Sequence, residues 1–451
     1  MRSDTIAAIS TPAGMGGISV IRVSGEEAVS ICDRIFCGAR RLSSLKGYTA
    51  ALGNIVENGE IIDEVIATVF LAPHSYTGEN VVELSCHGGQ YVTSKVLEAV
   101  YNAGAVPAQA GEFSFRAYLN GKMDLSKAES IMGIIGAKGQ KAMEIAIRNK
   151  EGAVSKEIDL ICDRILNLTA KIAVFCDYPD DESMGINSDE FITEISACKQ
   201  RVQTLLDNYE NGRLLCGGIL TVIAGRPNVG KSTLMNLLSG QDVAIVTDVA
   251  GTTRDVIETE VNLGGLYLRL ADTAGIRETD DTVEKIGVGL AEKKMADADI
   301  ILYLTQSGKP LTKKEKADLE NYREKVVAVI NKTDLCDPDT SYFENNNITA
   351  VCISAKKGDG IKDLCDAIAE KTGILNISPT AVVLQSARQK EAAKAALSAL
   401  TKAEQTLLDG LTPDCYGVYL DEALSKLFEI TGKRVQTEVA NRVFRDFCVG
   451  K

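Results

Sequence analysis

The segment ILTVIAGRPNVGKSTLMNLLSG, residues 219–240, constrains the chain more than any other. Ile219 to Ala224 form a nearly continuous apolar run, as expected of a parallel strand buried on both faces. The octapeptide GRPNVGKS, Gly225 to Ser232, follows at once, and STLMNLLSG then has the composition of a helix. A Gly-rich turn between a buried strand and a helix points its N–H groups inward at a helix amino terminus, which is what phosphate binding requires. A doubly wound α/β unit is therefore expected here. Asn228, Val229, Gly230, Lys231, Ser232 and Thr233 line its phosphate side, with Lys231 reaching the β- and γ-phosphates and Ser232 holding Mg²⁺.

The motifs that follow come in the order that a guanine-nucleotide site needs. TDVAGTTRD supplies Thr247, Asp248, Val249, Ala250, Gly251, Thr252 and Thr253, with the Thr253 hydroxyl as a second protein oxygen for Mg²⁺. LRLADTAG ends a strand at Asp272 and continues through Thr273, Ala274 and Gly275, which places a carboxylate near the metal and a backbone N–H near the γ-phosphate. VVAVI then runs into NKTD, so Asn331, Lys332 and Asp334 sit at the carboxyl end of a strand beside the base. Asp334 can accept the two N–H groups on guanine's edge, whereas adenine leaves that carboxylate unpaired, a penalty of roughly 10⁴-fold. VCISAK brings Ser354, Ala355 and Lys356 after another strand, with the Ala355 N–H aimed at the guanine carbonyl. The residue after DTAG is Ile276, where Ras-type GTPases carry a water-orienting Gln. Glu284, in DDTVEKIG, is the polar candidate further along, although spacing alone reads it equally as a solvated helix-surface residue. No arginine finger is assignable, so some other cation is expected in that role.

Around this unit the periodicity changes. Residues 1 to about 118 alternate strand-like runs (Ile18 to Val23, Glu64 to Leu71, Val81 to Cys86) with a helix around Val92 to Tyr101, an α+β pattern. From Asp124 the pattern is helical, and Val154, Ile158, Ile161, Ile165, Leu168 and Ile172 form one apolar seam. DYPDDE stops that helix, and a second helical run reaches about Tyr209 before the glycines at 212, 217 and 218. Beyond Pro379 helix returns, with seams at Ala393, Ala396, Leu400, Ala403 and Leu407, then Leu420, Leu424, Leu427 and Phe428. The expected division is an α+β domain over 1–118, a helical domain over 119–217 and 376–451, and an α/β domain over 218–375 inserted into it.

With 62 acidic against 49 basic residues the net charge is −13, so RNA contact requires a local basic patch or a partner. Two His and no CxxC pair argue against a zinc site or a His-centred triad. The apolar runs are too short to span a bilayer and the first residues lack a signal-peptide layout, so a cytoplasmic protein is expected.

Together GRPNVGKS, TDVAGTTRD, DTAGIRETDDTVEKIG, NKTD and the terminal FCVGK closely resemble the MnmE (TrmE) family of bacterial tRNA-modification GTPases. Outside the nucleotide motifs, TPAGMGGISVIRVSG, SYTGENVVELSCHGG and GEFSFRAYLNGKMDLSKAE carry the same likeness. The resemblance implies a potassium-dependent GTPase, its K⁺ held by Asn228, Thr247, Val249 and Thr252, with Glu284 orienting the water. It implies a homodimer and a flavoprotein partner, MnmG (GidA). The product is an aminomethyl or carboxymethylaminomethyl group at C5 of the wobble uridine of tRNA. It also implies a one-carbon tetrahydrofolate derivative, formyl or methylene, bound in the amino-terminal domain by Arg22, Glu83, Lys122 and Lys451. A carboxylate suits the pterin edge of such a ligand and cations suit its glutamate tail. Cys448 stands where that family has its terminal Cys, and a buried structural thiol is the commoner reading of such a residue. Two other readings use fewer of the motifs: a GTP-gated RNA-binding factor for ribosome assembly, and a folate-dependent one-carbon transferase regulated by GTP.

Overall fold

The computed structural model describes residues 4–177, 187–240, 258–272, 292–374 and 381–433, together with positions 443, 444, 447 and 450. The chain divides into two compact units, one holding 1–132, 155–186 and 411–451, the other 133–154 and 187–410.

The first unit is built on a seven-stranded sheet of β1 (Ile6–Ile9), β2 (Ile18–Ser24), β3 (Phe36–Gly38), β4 (Thr49–Glu57), β5 (Glu60–Phe70), β6 (Val81–His87) and β7 (Val106–Pro107), in the order β3-β4-β5-β6-β2-β1-β7. Alternation decides its faces. Val65, Ala67 and Val69 of β5 point to a core shared with Ile21, Val23 and Leu84. Helices α1 (Ala28–Ile35) and α2 (Gln90–Asn102) close that core with Ile31, Cys32, Val96 and Val100. The opposite face carries Arg22 opposite Glu83, and Leu52 opposite Ile66. Ile18, Leu52 and Ile66 on it are exposed by 68%, 61% and 49%. Helix α3 (Glu112–Leu119) lies within the stretch expected to be α+β, and begins where Gly111 adopts φ 69°. A Cβ at Gly111 would stand 2.2 Å from the Phe444 carbonyl oxygen. Helix α4 (Leu125–Ile135) follows, and α5 (Gln140–Lys150) belongs to the second unit. Along α6 (Ala153–Asp177) every residue of the predicted seam is buried.

The second unit joins helices to a six-stranded sheet. Helix α7 (Ser188–Gly217) starts at Asn187, whose side chain accepts from the N–H groups of Asp189 and Glu190. It runs past the expected end near Tyr209 to Gly217, with Leu215 buried in the apolar layer of the sheet and Arg213 paired with Asp299 at 2.7 Å. The sheet comprises β8 (Ile219–Gly225), β9 (Glu258–Leu263), β10 (Leu266–Asp272), β11 (Ile300–Gln306), β12 (Val326–Asn331) and β13 (Ala350–Cys352), in the order β13-β12-β11-β8-β10-β9. All neighbours are parallel except β9 with β10. Helices α8 (Lys231–Gly240), α9 (Lys313–Asn321), α10 (Ser341–Asn345) and α11 (Ile361–Lys371) accompany it. Two apolar layers, around Ile223, Leu302 and Val329 on one side and Val222, Ile301 and Ala328 on the other, bury both faces. The chain leaving the sheet region packs on helices: Asn149 Nδ2 donates to Val383 O (2.8 Å), and Asn208 Nδ2 to Val382 O (3.1 Å). Helix α12 (Ala387–Leu408) then lies along α7, with Lys199 and Ser196 both bonded to Glu404. Helix α13 (Pro413–Thr431), in the first unit, ends at Gly432 with φ 85°. No helix among the described residues is long and apolar enough to cross a membrane.

Candidate nucleotide-binding site

The sequence leaves the sheet in both directions from β8, toward β10 and β9 on one side and toward β11, β12 and β13 on the other. Strand order reverses at that point, and ligands of open α/β sheets bind there, outside the strands' carboxyl ends. β11 approaches β8 so closely that a Cβ at Gly225 would be 2.3 Å from Leu304 O, which only glycine avoids. The turn that follows takes left-handed backbone at Asn228 (φ 61°) and Gly230 (φ 103°) and enters α8 at Lys231.

Four carbonyl groups of this turn are held by named donors. Lys231 Nζ donates to Gly225 O (2.8 Å) and Arg226 O (2.9 Å). Lys332 Nζ donates to Asn228 O (2.9 Å) and to Gln306 Oε1 (3.3 Å), and Asn331 Nδ2 donates to Val229 O (2.9 Å). Ser232 and Thr233 stand exposed at the start of α8.

Asn331, 2% exposed, is the hub. Besides its bond to Val229, its Oδ1 accepts from the N–H of Lys332 (2.8 Å) and of Ala355 (3.0 Å). One side chain thus ties the Gly-rich turn, the NKTD loop and the SAK loop together. Its Nδ2 and Oδ1 are engaged by protein, so it holds the three loops in one arrangement. The Ala355 N–H, expected to face guanine, points to Asn331 Oδ1. Asp334 does face outward in part, and the Ser354 hydroxyl donates to its Oδ1 (2.9 Å), fixing the carboxylate plane. Lys332 takes φ 67°, which sends its side chain back across the turn, and Lys356 is exposed. Thr247, Asp248, Val249, Ala250, Gly251, Thr252, Thr253, Thr273, Ala274, Gly275 and Glu284 lie outside the described residues, and Asp272 is described only in its backbone at the end of β10. Among the described residues no group of three or more His, Cys, Asp or Glu is placed to hold a metal.

In the first unit, register places Arg22 beside Glu83 on adjacent strands, joined by Nε–H donation to Oε1 (2.9 Å) and by Nη2 at 2.8 Å. The guanidinium lies 5.1 Å from the ring centre of Tyr76 and 5.7 Å from that of Phe113. Its Nη1 donates to Gly450 O (3.4 Å), which places Gly450 at this cluster, and Lys451 and Cys448 are outside the described residues. Lys122 is not bonded to the pair. Its Nζ donates to Pro73 O (2.9 Å) at the base of the loop that carries Tyr76. The sequence reading missed Tyr76, Phe113 and the buried Arg116, which binds Glu79 and Glu112 beneath them. All lie inside quoted motifs, and only their proximity in space singles them out.

The model of the GTP-binding protein TrmE N-terminus matches residues 5–122, and that of the MnmE helical domain matches residues 125–448. Curated proteins named tRNA modification GTPase MnmE align end to end. That of Acetivibrio thermocellus is 38% identical and that of Listeria welshimeri 40%, each covering 100% of both chains. The chain belongs to the MnmE family. That of Clostridioides difficile is a further MnmE relative, 39% identical over 99% of both chains.

Proposed function

We propose that this protein is a potassium-dependent GTPase that works with a flavoprotein partner, MnmG (GidA), to form the aminomethyl or carboxymethylaminomethyl group at C5 of wobble uridine in tRNA. The observation that carries the reading is the Asn331 hub, which joins the phosphate turn to both base-side loops. In this reading Asp334, oriented by Ser354, accepts guanine's two N–H groups, and Lys231 exchanges the carbonyls of Gly225 and Arg226 for the β- and γ-phosphates. The hydroxyls of Ser232 and Thr253 hold Mg²⁺, hard oxygen donors suited to that ion. Asn228, Thr247, Val249 and Thr252 hold K⁺, which when bound supplies the positive charge an arginine finger supplies elsewhere. Glu284 orients the attacking water.

Arg22, Glu83, Lys122 and Lys451 hold a formyl- or methylene-tetrahydrofolate, with Tyr76 and Phe113 as its aromatic neighbours. The exposed Ile18, Leu52 and Ile66 share a sheet face with Arg22 and Glu83, an apolar surface of the kind a second copy covers, which supports a homodimer. The functional division runs 1–118, 119–217 with 376–451, and 218–375. tRNA is met locally or through the partner, given the net charge of −13, in the cytoplasm. A ribosome-assembly factor would leave the Arg22 cluster without a use.

GTP turnover in K⁺ against Na⁺ tests the reading, with Asn228→Ala and Glu284→Ala alongside. A strong preference for K⁺ that Asn228→Ala removes is expected, with retained GTP binding but little turnover in Glu284→Ala. Equal rates in the two salts would refute the potassium mechanism.

A further inference from the structure

Arg226, the second residue of the phosphate turn, is held by a residue outside every nucleotide motif. Its Nε lies 2.7 Å from Glu315 Oε1, an ion pair whose N–H is off-line for a hydrogen bond, and its Nη2 donates to Pro310 O (3.4 Å). Glu315 is 1% exposed. Its other oxygen, Oε2, accepts from Thr312 N (2.7 Å) and Thr312 Oγ1 (2.9 Å), closing a capping box at the start of α9. A carboxylate this deeply buried persists only with its charge paired. Glu315 is also fixed in place, because α9 is anchored to the sheet by buried Leu319 and by the Tyr303 hydroxyl donating to Asp318 (3.0 Å). At the other end of the same residue, Arg226 O accepts from Lys231 Nζ. The ion pair therefore fixes one residue whose carbonyl, in turn, helps to set where Lys231 lies.

We propose that Arg226 and Glu315 are positioning residues for nucleotide binding: the pair sets the first half of the phosphate turn, and through it the place where Lys231 meets the β- and γ-phosphates. The inference deepens the nucleotide reading of this site and rests on it. Its signature is selective. Asn331, Asp334 and Ala355 hold the base side by bonds of their own, so loosening Arg226 weakens contacts to phosphate and leaves those to the nucleoside.

The test measures dissociation constants of full-length protein for GDP and for guanosine, by displacement of a fluorescent guanine nucleotide. Glu315→Gln keeps an acceptor for Thr312 and removes the charge. Arg226→Ala removes the other partner, and Arg226→Lys restores the charge. Glu315→Gln and Arg226→Ala are expected to weaken GDP about ten-fold or more, the worth of one charge-assisted contact, while guanosine stays within about two-fold and Arg226→Lys recovers most of the loss. If Arg226→Ala does not fold with Glu315 left unpaired, the double variant Arg226→Met/Glu315→Gln removes both charges and carries the same comparison. A folded variant that binds GDP as the wild type does, or a loss shared equally by GDP and guanosine, overturns the proposal. Failure of the wild type to bind either ligand removes the nucleotide reading as well, so the two failures are told apart by the wild type alone.

Discussion

Replacing Asn331 by alanine removes one donor and one acceptor from a side chain that makes three bonds. Val229 and Ala355, two of the residues it serves, are themselves 3% and 4% exposed, so the freed carbonyl and N–H find little water. Each orphaned buried group costs about 1–3 kcal/mol, whereas the Lys332 N–H, in a half-buried residue, is expected to recover a partner in solvent. The net cost is then about 3 kcal/mol, incurred when the three loops are brought back to the arrangement that a nucleotide needs. That corresponds to roughly a 100-fold weaker Kd for GDP. Asn331→Asp is the sharper probe. It keeps an acceptor for Lys332 and Ala355 and turns the donor facing Val229 O into a second oxygen, so a loss at least as large isolates the tie to the phosphate turn. Displacement titrations in magnesium buffer, with circular dichroism to verify folding, read both variants. A Kd for Asn331→Ala within three-fold of the wild type would refute the hub.

Gly225→Ala places a methyl 2.3 Å from the Leu304 carbonyl, against backbone that cannot swing aside, and is expected to cost about 3 kcal/mol, read as a lowered thermal midpoint. Glu404 gives a pH signature: burial pushes its carboxyl up, yet the bonds from Lys199 and Ser196 outweigh this and hold it below the usual 4.5. A depressed carboxylate stabilises the fold above its ordinary pKa, and that stability is lost as pH falls through the lowered folded value. The urea midpoint of the wild type should therefore drop more steeply below about pH 4.5 than that of Glu404→Gln. In the first unit, Arg22→Ala and Glu83→Gln are each expected to weaken tetrahydrofolate binding at least ten-fold by calorimetry, the cost of one charged hydrogen bond, without altering GDP affinity. Equal folate binding in both would remove that assignment.

The phosphate turn was legible because its chemistry is local: an apolar strand, glycines and a helix must follow one another within a few residues, and they do so from Ile219 to Gly240. The helical seam along α6 was legible for the same reason, its apolar spacing being visible within one segment. Asn331 was found as a motif residue, but its work as a strut was hidden, since Val229 lies 102 positions away. Glu315 was invisible, reading as one more charge in KKEKADLE, because what distinguishes it is burial against Arg226. That Arg22 and Glu83 stand side by side was not legible, because strand register sets it across 61 positions. Helix α3 was absorbed into the α+β stretch because its eight residues are too few to display a period.

The pairing of α7 with α12 has a bearing on how the chain is made. Gly217 and Ala387 are about 170 residues apart, so at ribosomal speed α7 waits roughly 10 to 30 seconds for the helix that covers it. During that interval α7 is without the helix that later lies along it, while the sheet emerges between the two. A nascent chain stalled before residue 387 should accordingly recruit chaperones that recognise an apolar helical stripe, and release them once Glu404 has reached Lys199.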